Sequence, residues 1–190
     1  MKIRRLLVYL FICPIYWFSC LIYDKKYLIG SLFARDHFSI GWKWVLKYWY
    51  VQKVKGINRH VPFPVPPWVK IANAENLVFD VEDMRYFHSV GCYFQGINAK
   101  IYIGKGTQIA PNCGFITANH DFNDLNKSAP GKDIHIGNSC WIGMNSVILP
   151  GVTLGNHTIV GAGSIVTKSF SEGNCIIAGN PAKKIRDFEK

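Results

Sequence analysis

Of the six histidines, His120 is the one that stands where it could do chemistry. It closes the run Thr117-Ala118-Asn119-His120, and Asp121 and Phe122 follow, at the point where a regular pattern in the chain is interrupted. An imidazole titrates near neutrality and can take a proton from a hydroxyl. No serine or cysteine stands beside His120 to be activated, so a covalent route is not indicated; Cys113 lies seven residues earlier. His37, His60, His88 and His135 have no comparable placement, and His157 falls at a turn position that reads as solvated surface. The six cysteines form no C-x-x-C pair, so zinc and redox motifs are not indicated.

The elements that must position His120 are written in sixes. Ile136, Ile142, Ile148, Leu154, Val160 and Val166 recur every six residues, each followed by Gly137, Gly143, Leu149, Gly155, Gly161 or Thr167. Four residues after each aliphatic stands Cys140, Ser146, Val152, Thr158, Ser164 and then Phe170, small in the first five cases. A period of six is neither helical nor a simple strand alternation; it is that of a hexapeptide β-helix. The aliphatic points into a narrow prism, the small residue fits beside it, and the glycine permits a tight turn. The same phase recurs at Ile103, Ile109 and Phe115, with Thr107 and Cys113 as small partners. Coils are therefore expected over 103–120, 136–153 and 154–171. Ile71, Leu77 and Val90 suggest an irregular capping coil. Residues 121–135 must be extruded as a loop, and insertions into solenoids commonly carry binding surfaces. Residues 172–190 are expected to leave the prism, with a frayed end from Asp187.

Charge divides the chain. Residues 1–60 hold 11 Lys/Arg against Asp24 and Asp36, a net of +9, whereas residues 61–190 hold 11 against 10, a net of +1. The first 60 residues also hold 14 of the 27 aromatics. Lys2, Arg4 and Arg5 precede an apolar run from Leu6 to Tyr23 that is interrupted by Pro14, with Lys25 and Lys26 after it. No small-x-small cleavage site follows, and both flanks are positive. Residues 24–56 read as one or two amphipathic helices in which Trp42, Trp44, Tyr48, Trp49 and Tyr50 alternate with Lys43, Lys47 and Lys53. Attachment to a membrane surface through residues 1–56 is the reading adopted. A spanning helix, and apolar faces buried on the β-helix or on neighbouring subunits, stand beside it. Nucleic acid is not expected, because the lysines flank a continuous apolar stretch and no nucleic-acid motif is present. The fold class is thus an all-β, left-handed parallel β-helix with an N-terminal helical, membrane-seeking extension. Residues 1–60 form the extension, 61–68 a stiff linker with four prolines, and 69–190 the β-helix with its loop 121–135.

Four segments carry a specific resemblance: Asn119-His120-Asp121, Cys140-Trp141-Ile142-Gly143, Val160-Gly161-Ala162-Gly163-Ser164 and Ala178-Gly179-Asn180-Pro181-Ala182-Lys183. Over about residues 90–188 the chain resembles the hexapeptide-repeat acyltransferases, in particular the maltose, galactoside and polysaccharide O-acetyltransferases. The resemblance implies direct transfer from acetyl-CoA, with His120 as general base and no metal. It implies an oxyanion donor on the preceding coil, for which Gln95 and Asn98 are both candidates, and places Asp121 on the acceptor side. By position, Trp141 would wall a pantetheine pocket, with packing beneath the loop as its alternative. Met144, Gly161 and Ala162 would offer backbone groups, Thr167 and Lys168 would extend the groove, and Lys183 and Arg186 would meet phosphates, with Lys184 able to exchange with Lys183. The groove lies between subunits in such proteins, which implies a homotrimer.

The acceptor implied is a sugar hydroxyl of a surface polysaccharide or its lipid-linked precursor, at the cytoplasmic face of the inner or plasma membrane or in the cytoplasm. N-acetylation of an amino sugar is the nearest alternative, since the same base serves either nucleophile. A γ-type carbonic anhydrase would need three converging histidines; only His120 and His135 flank the loop. A non-catalytic hexapeptide scaffold is disfavoured by His120, Trp141 and the Gly-Asn-Pro-Ala-Lys tail.

Overall fold

In a computed structural model we describe residues 2–34 and 37–188, with side chains from residue 10 onward. The chain divides into two compact units, Met1–Pro67 and Trp68–Lys190. In the first, α1 (Lys2–Ile22) is followed by short 3-10 turns at Lys25–Tyr27 and Ser31–Phe33, then α2 (Ile40–Trp49), which loosens into a π-turn over Tyr50–Val54. Pro14 sits inside α1. Among the described residues no helix is long and apolar enough to cross a membrane, so the spanning alternative is not realised there. The basic side chains of Lys2, Arg4 and Arg5, and Asp36, lie outside what is described.

The proline-rich stretch is not a free linker. Val61, Phe63 and Val65 are fully buried, because the chain wraps around the side chain of Gln52. That amide donates to the carbonyls of Asn58 (3.3 Å), Val61 (3.2 Å) and Phe63 (2.9 Å). Its oxygen accepts from the Tyr23 hydroxyl (2.9 Å) and the Val65 amide (3.2 Å). Prolines leave fewer backbone donors to satisfy, so one buried glutamine can pair what remains of the segment. Residues 61–66 therefore belong to the core of the first unit.

The second unit is a parallel β-helix of three sheets. The first sheet contains β1 (Lys70–Ile71), β3 (Tyr93–Phe94), β6 (Gly114–Phe115), β9 (Val147–Ile148) and β12 (Ile165–Val166). The second contains β2 (Leu77–Phe79), β4 (Ile101–Ile103), β7 (Ile134–Ile136) and β10 (Thr153–Leu154). The third contains β5 (Gln108–Ile109), β8 (Trp141–Ile142), β11 (Ile159–Val160), β13 (Cys175–Gly179) and β14 (Ala182–Asp187). The expected phase is kept in register: Ile103 pairs with Ile136 and then Leu154, Ile109 with Ile142 and then Val160, Phe115 with Ile148 and then Val166. The small positions Thr107, Cys113, Cys140, Ser146, Val152, Thr158 and Ser164 are all buried. Their hydroxyls are satisfied by backbone carbonyls, as when Thr107 donates to Gly137 and Thr158 to Gly155.

Three departures have physical causes. In the capping coil Ile71 and Leu77 enter strands, but Val90 is exposed; the third wall is formed by 3-10 turns over Val81–His88 that bury Met84 and Phe87. The cap is closed by a ladder of aromatic rings, Phe79, Phe87, Phe94 and Phe115, with successive centroids 4.7, 4.9 and 5.0 Å apart. At the other end the prism continues beyond residue 171, since β13 pairs in parallel with β11 and only β14 turns back antiparallel; Asp187 is the last residue of that strand rather than part of a frayed tail. Finally, Ile134 and His135 lie in β7, so the extruded loop ends at Asp133.

The glycines that follow the aliphatics are required by proximity rather than by turn conformation. A β-carbon on Gly143 would lie 2.6 Å from the backbone nitrogen of Ala162, and one on Gly137 2.6 Å from that of Asn156. The left-handed turns fall two residues later, at Ser139, Asn145, Gly151, His157 and Gly163. Gly143→Ala should therefore cost about 3 kcal/mol through backbone overlap. Gly163→Ala, with φ +71° and nothing within 4 Å, should cost only about 1 kcal/mol of left-handed strain. Chemical denaturation of both variants of the whole protein checks the order; equal losses would contradict it.

Candidate active site

His120 is held at the end of a small hairpin. After β6 the chain passes the corner between the first and second sheets, and His120 bridges antiparallel to Ser128. The Asp121 amide donates to the Lys127 carbonyl (2.9 Å), Ala129 to Asn119 (2.8 Å) and Lys132 to Thr117 (2.8 Å). The tip is built from two successive Asp-x-Asn turns. The Asp121 carboxylate accepts from the Asn123 amide (2.8 Å), and the Asp124 carboxylate from the Asn126 amide (3.1 Å) while pairing with Lys127 (3.1 Å). Those two contacts, with Lys127 first, hold the Asp124 carboxyl below the usual carboxylate range.

This tip aims the Leu125 carbonyl at His120 Nδ1, 2.9 Å away. A carbonyl only accepts, so the Nδ1 position carries the proton in this contact, and Nε2 of the exposed ring is the atom that holds the lone pair in the neutral form. That is the form a general base needs. Sequence reading singled out the histidine and missed the group that orients it, although the doubled Asp-x-Asn pattern signals the turns.

Gln95 and Asn98 occupy different situations. The Gln95 side-chain oxygen accepts from the amides of both Thr117 and Ala118, each at 2.9 Å. Its NH2 group is left as the donor end, one coil before His120. Asn98 is exposed in a left-handed turn with φ 55°, and a β-carbon on Gly131 would lie 2.6 Å from its carbonyl oxygen. Asp121 is committed to capping its own turn.

The residues expected to line a coenzyme groove sit elsewhere on the prism. Trp141 projects from the third sheet in register with Gln108 and Ile159, and is 54% exposed; it is not packed beneath the loop, which leaves from another corner. Met144, Gly161 and Ala162 follow β8 and β11 toward the corner that leads into the first sheet, where the Gly163 amide donates to the Met144 carbonyl (2.8 Å). Lys183 and Arg186 lie on β14 of the third sheet. Lys184 is drawn into an ion pair with Asp187 (2.7 Å). Thr167 and Lys168 follow β12 at the same corner as His120, with the Lys168 ammonium 5.7 Å from the Phe170 ring centroid. A cavity of about 410 Å³ runs from Lys168 and Phe170 past the Ser171–Gly173 turn to Cys175 and Lys184 of the third sheet. One chain thus sets His120 beside Gln95 and carries the Thr167–Lys168 step at the same corner two coils further along, with the Leu149 turn between them, while Trp141, Met144, Gly161, Ala162, Lys183 and Arg186 lie elsewhere on the prism.

Two further residues are accounted for. Cys113 is buried, and hydrogen bonding with the Cys92 thiol, reinforced by burial, holds it far above the usual thiol range. It remains a protonated packing group. His135 stacks on Tyr102, with centroids 4.4 Å apart and planes within 6°. Among the described residues no three His, Cys, Asp or Glu side chains gather to hold a metal ion.

With this geometry established, likeness to known proteins is informative. Residues 133–168 match the family described as bacterial transferase hexapeptide (six repeats). A Schizosaccharomyces pombe protein named "Putative acetyltransferase" is 39% identical over 108 residues, which span 55% of this chain and 51% of the relative. The chain therefore spans about half the length of the curated relatives it matches. Among solved structures, a maltose O-acetyltransferase from Clostridium difficile 630 is similar at 31% identity and a TM-score of 0.54, covering 64% of each chain. A galactoside acetyltransferase in complex with coenzyme A is similar at 32% identity and a TM-score of 0.54, covering 65% of this chain and 60% of that one. The pairing of hexads in register and these likenesses agree that residues 133–168 form hexapeptide repeats similar to those of the bacterial transferases.

Proposed function

We propose that the β-helical unit transfers an acetyl group from acetyl-CoA to a hydroxyl of a carbohydrate acceptor, a surface polysaccharide or its lipid-linked precursor. The observation that carries this reading is the Leu125 carbonyl on His120 Nδ1, which leaves Nε2 ready to accept a proton. The likeness to maltose and galactoside acetyltransferases, the latter with coenzyme A bound, supports the donor and the class of acceptor. In the reaction Nε2 takes the acceptor's hydroxyl proton as its oxygen attacks the thioester carbonyl. The new C–O bond forms, the tetrahedral oxyanion collapses with cleavage of the C–S bond, and the imidazolium returns the proton to the departing thiolate. The Gln95 NH2 group is the better of the two candidate donors to that oxyanion, since its oxygen is already pinned by two backbone amides.

The two half-sites lie on different edges of the prism, so a complete site is formed between neighbouring chains, in a homotrimer. Trp141, Met144, Gly161 and Ala162 of one subunit, with Thr167 and Lys168, would receive the pantetheine arm. Lys183 and Arg186 are assigned to the phosphates in preference to Lys184, which is ion-paired. Asp121 acts on the acceptor side through the turn it caps. On this reading the protein works at the cytoplasmic membrane face, where a lipid-linked acceptor would be within reach.

Release of coenzyme A from acetyl-CoA, with a membrane sugar-lipid extract as acceptor, tests the reading. His120→Ala should lower turnover by about 10²–10⁴-fold while acetyl-CoA binding is retained; unchanged turnover would remove His120 as base. Gln95→Ala should lower kcat by about 10²-fold and Asn98→Ala by far less; the reverse order would exchange their roles. Asp124→Ala, which frees the turn behind Leu125, should reduce kcat several-fold with KM for acetyl-CoA unchanged, and Asp124→Asn should recover most of it. Mixed oligomers of His120→Ala with Ala162→Trp, each inactive alone, should regain activity if sites are shared between chains. Mass spectrometry of the product separates an ester from an amide.

A further inference from the structure

Helix α1 is apolar on two opposite faces, and its own unit uses only one. Ile12, Tyr16 and Ser19 face inward and lead to Tyr23 just beyond the helix; Ile12, Ser19 and Tyr23 are buried, and the Tyr16 ring meets Trp42 edge-on at 6.2 Å. A quarter to half a turn away the spacing i, i+4, i+7, i+11 recurs as Leu10, Pro14, Trp17 and Leu21, joined by Phe11, whose ring also meets Phe38 edge-on at 6.3 Å, and these five are exposed. Trp17 is 62% and Leu21 84% exposed. A helix that is apolar nearly all round is not stable against water and calls for a cover.

The charge around it decides what the cover is. The stretch of residues 1–60 has a net charge of +9, and Lys25 and Lys26 stand exposed immediately beyond the end of α1. On α2, Lys43 and Lys47 are exposed alongside Ile40, Leu46 and, one residue past its end, Tyr50. A second copy brought against this surface would set two such positive segments face to face. An anionic bilayer would instead meet both features, its headgroups the lysines and its acyl boundary the apolar stripe. Since no described helix is long and apolar enough to cross a membrane, the helix has to lie along the surface.

We infer that the Leu10–Phe11–Pro14–Trp17–Leu21 face of α1 is a docking surface for an anionic lipid bilayer, with the helix in the plane of the interface. This deepens the membrane-side reading above and rests on it for the compartment, but it is independent of acetyl transfer. The stripe holds no group assigned to the reaction.

The test is co-sedimentation of the whole protein with vesicles of phosphatidylglycerol and phosphatidylcholine, and with vesicles of phosphatidylcholine alone. Binding to the anionic vesicles, weakened by high salt, is expected; the double variant Trp17→Glu/Leu21→Glu should weaken it at least tenfold, and Trp17→Gln/Leu21→Gln nearly as much. Analytical ultracentrifugation of the same variants should show unchanged subunit assembly, and coenzyme A release with a soluble acceptor should be unaltered. Wild-type protein that stays in the supernatant, or that binds equally with both variants, would overturn the assignment. So would variants that change the assembly state, which would give the face to a second copy. Loss of coenzyme A release in every form, with vesicle binding intact, would count against the acetyltransferase reading alone.

Discussion

The close approach of successive coils at two corners of the prism is the constraint on which the rest of the second unit depends. Gly104, Gly137 and Gly155 stack at one corner and Gly143 and Gly161 at another, where any added β-carbon would overlap the backbone or side chain of the coil beyond. Tight corners keep the parallel ladders in register, and the register keeps aliphatic over aliphatic through the core. At the third corner the equivalent residues are Ile116, Leu149 and Thr167, which are larger and not fully buried. It is at this corner that the chain leaves to form the loop that His120 opens and Asp133 ends.

The position of His120 therefore follows from packing, and its tautomer follows from a turn. A histidine in an exposed loop is ordinarily free to choose its tautomer. Here two capped turns fix the Leu125 carbonyl, and that carbonyl selects the Nδ1–H form. Phe122 and Leu125 meanwhile remain largely exposed at the loop tip, so the tip itself is not anchored by burial. Its order rests on backbone hydrogen bonds and the Asp124–Lys127 pair. An exposed pair of this kind contributes little to global stability, and its effect is expected in geometry.

The first unit obeys a different logic. Its core is assembled around one buried glutamine and a set of edge-on aromatic contacts, including Phe33–Trp42 at 5.1 Å and Phe18–Trp49 at 5.2 Å. Aromatic rings supply a large buried area from few residues, which suits a unit this small. The Lys53 ammonium is drawn into the same core, donating to the carbonyls of Arg59 (2.8 Å) and Val61 (2.7 Å) with the Tyr23 ring 4.8 Å away, and burial lowers its pKa to about 8.

The β-helix, its strand phase from Ile103 onward, the buried small positions and the corner histidine were all legible in the residues, because a six-residue period is local information that the stacking reads directly. The cap was not legible: the aromatic ladder of Phe79, Phe87, Phe94 and Phe115 draws on residues with no fixed spacing, so the period misplaced Val90. Nor was the proline stretch, whose burial depends on Gln52 several residues upstream in another element. Gln95 could not be separated from Asn98 by sequence, since the choice lies in which side chain meets the amides of Thr117 and Ala118. What the sequence determined alone was repetition, and with it the fold and the corner where a base could stand. Tertiary structure decided which groups are pinned, which remain free to react and which edge of the prism carries them, because those depend on hydrogen bonds between residues that no local period connects.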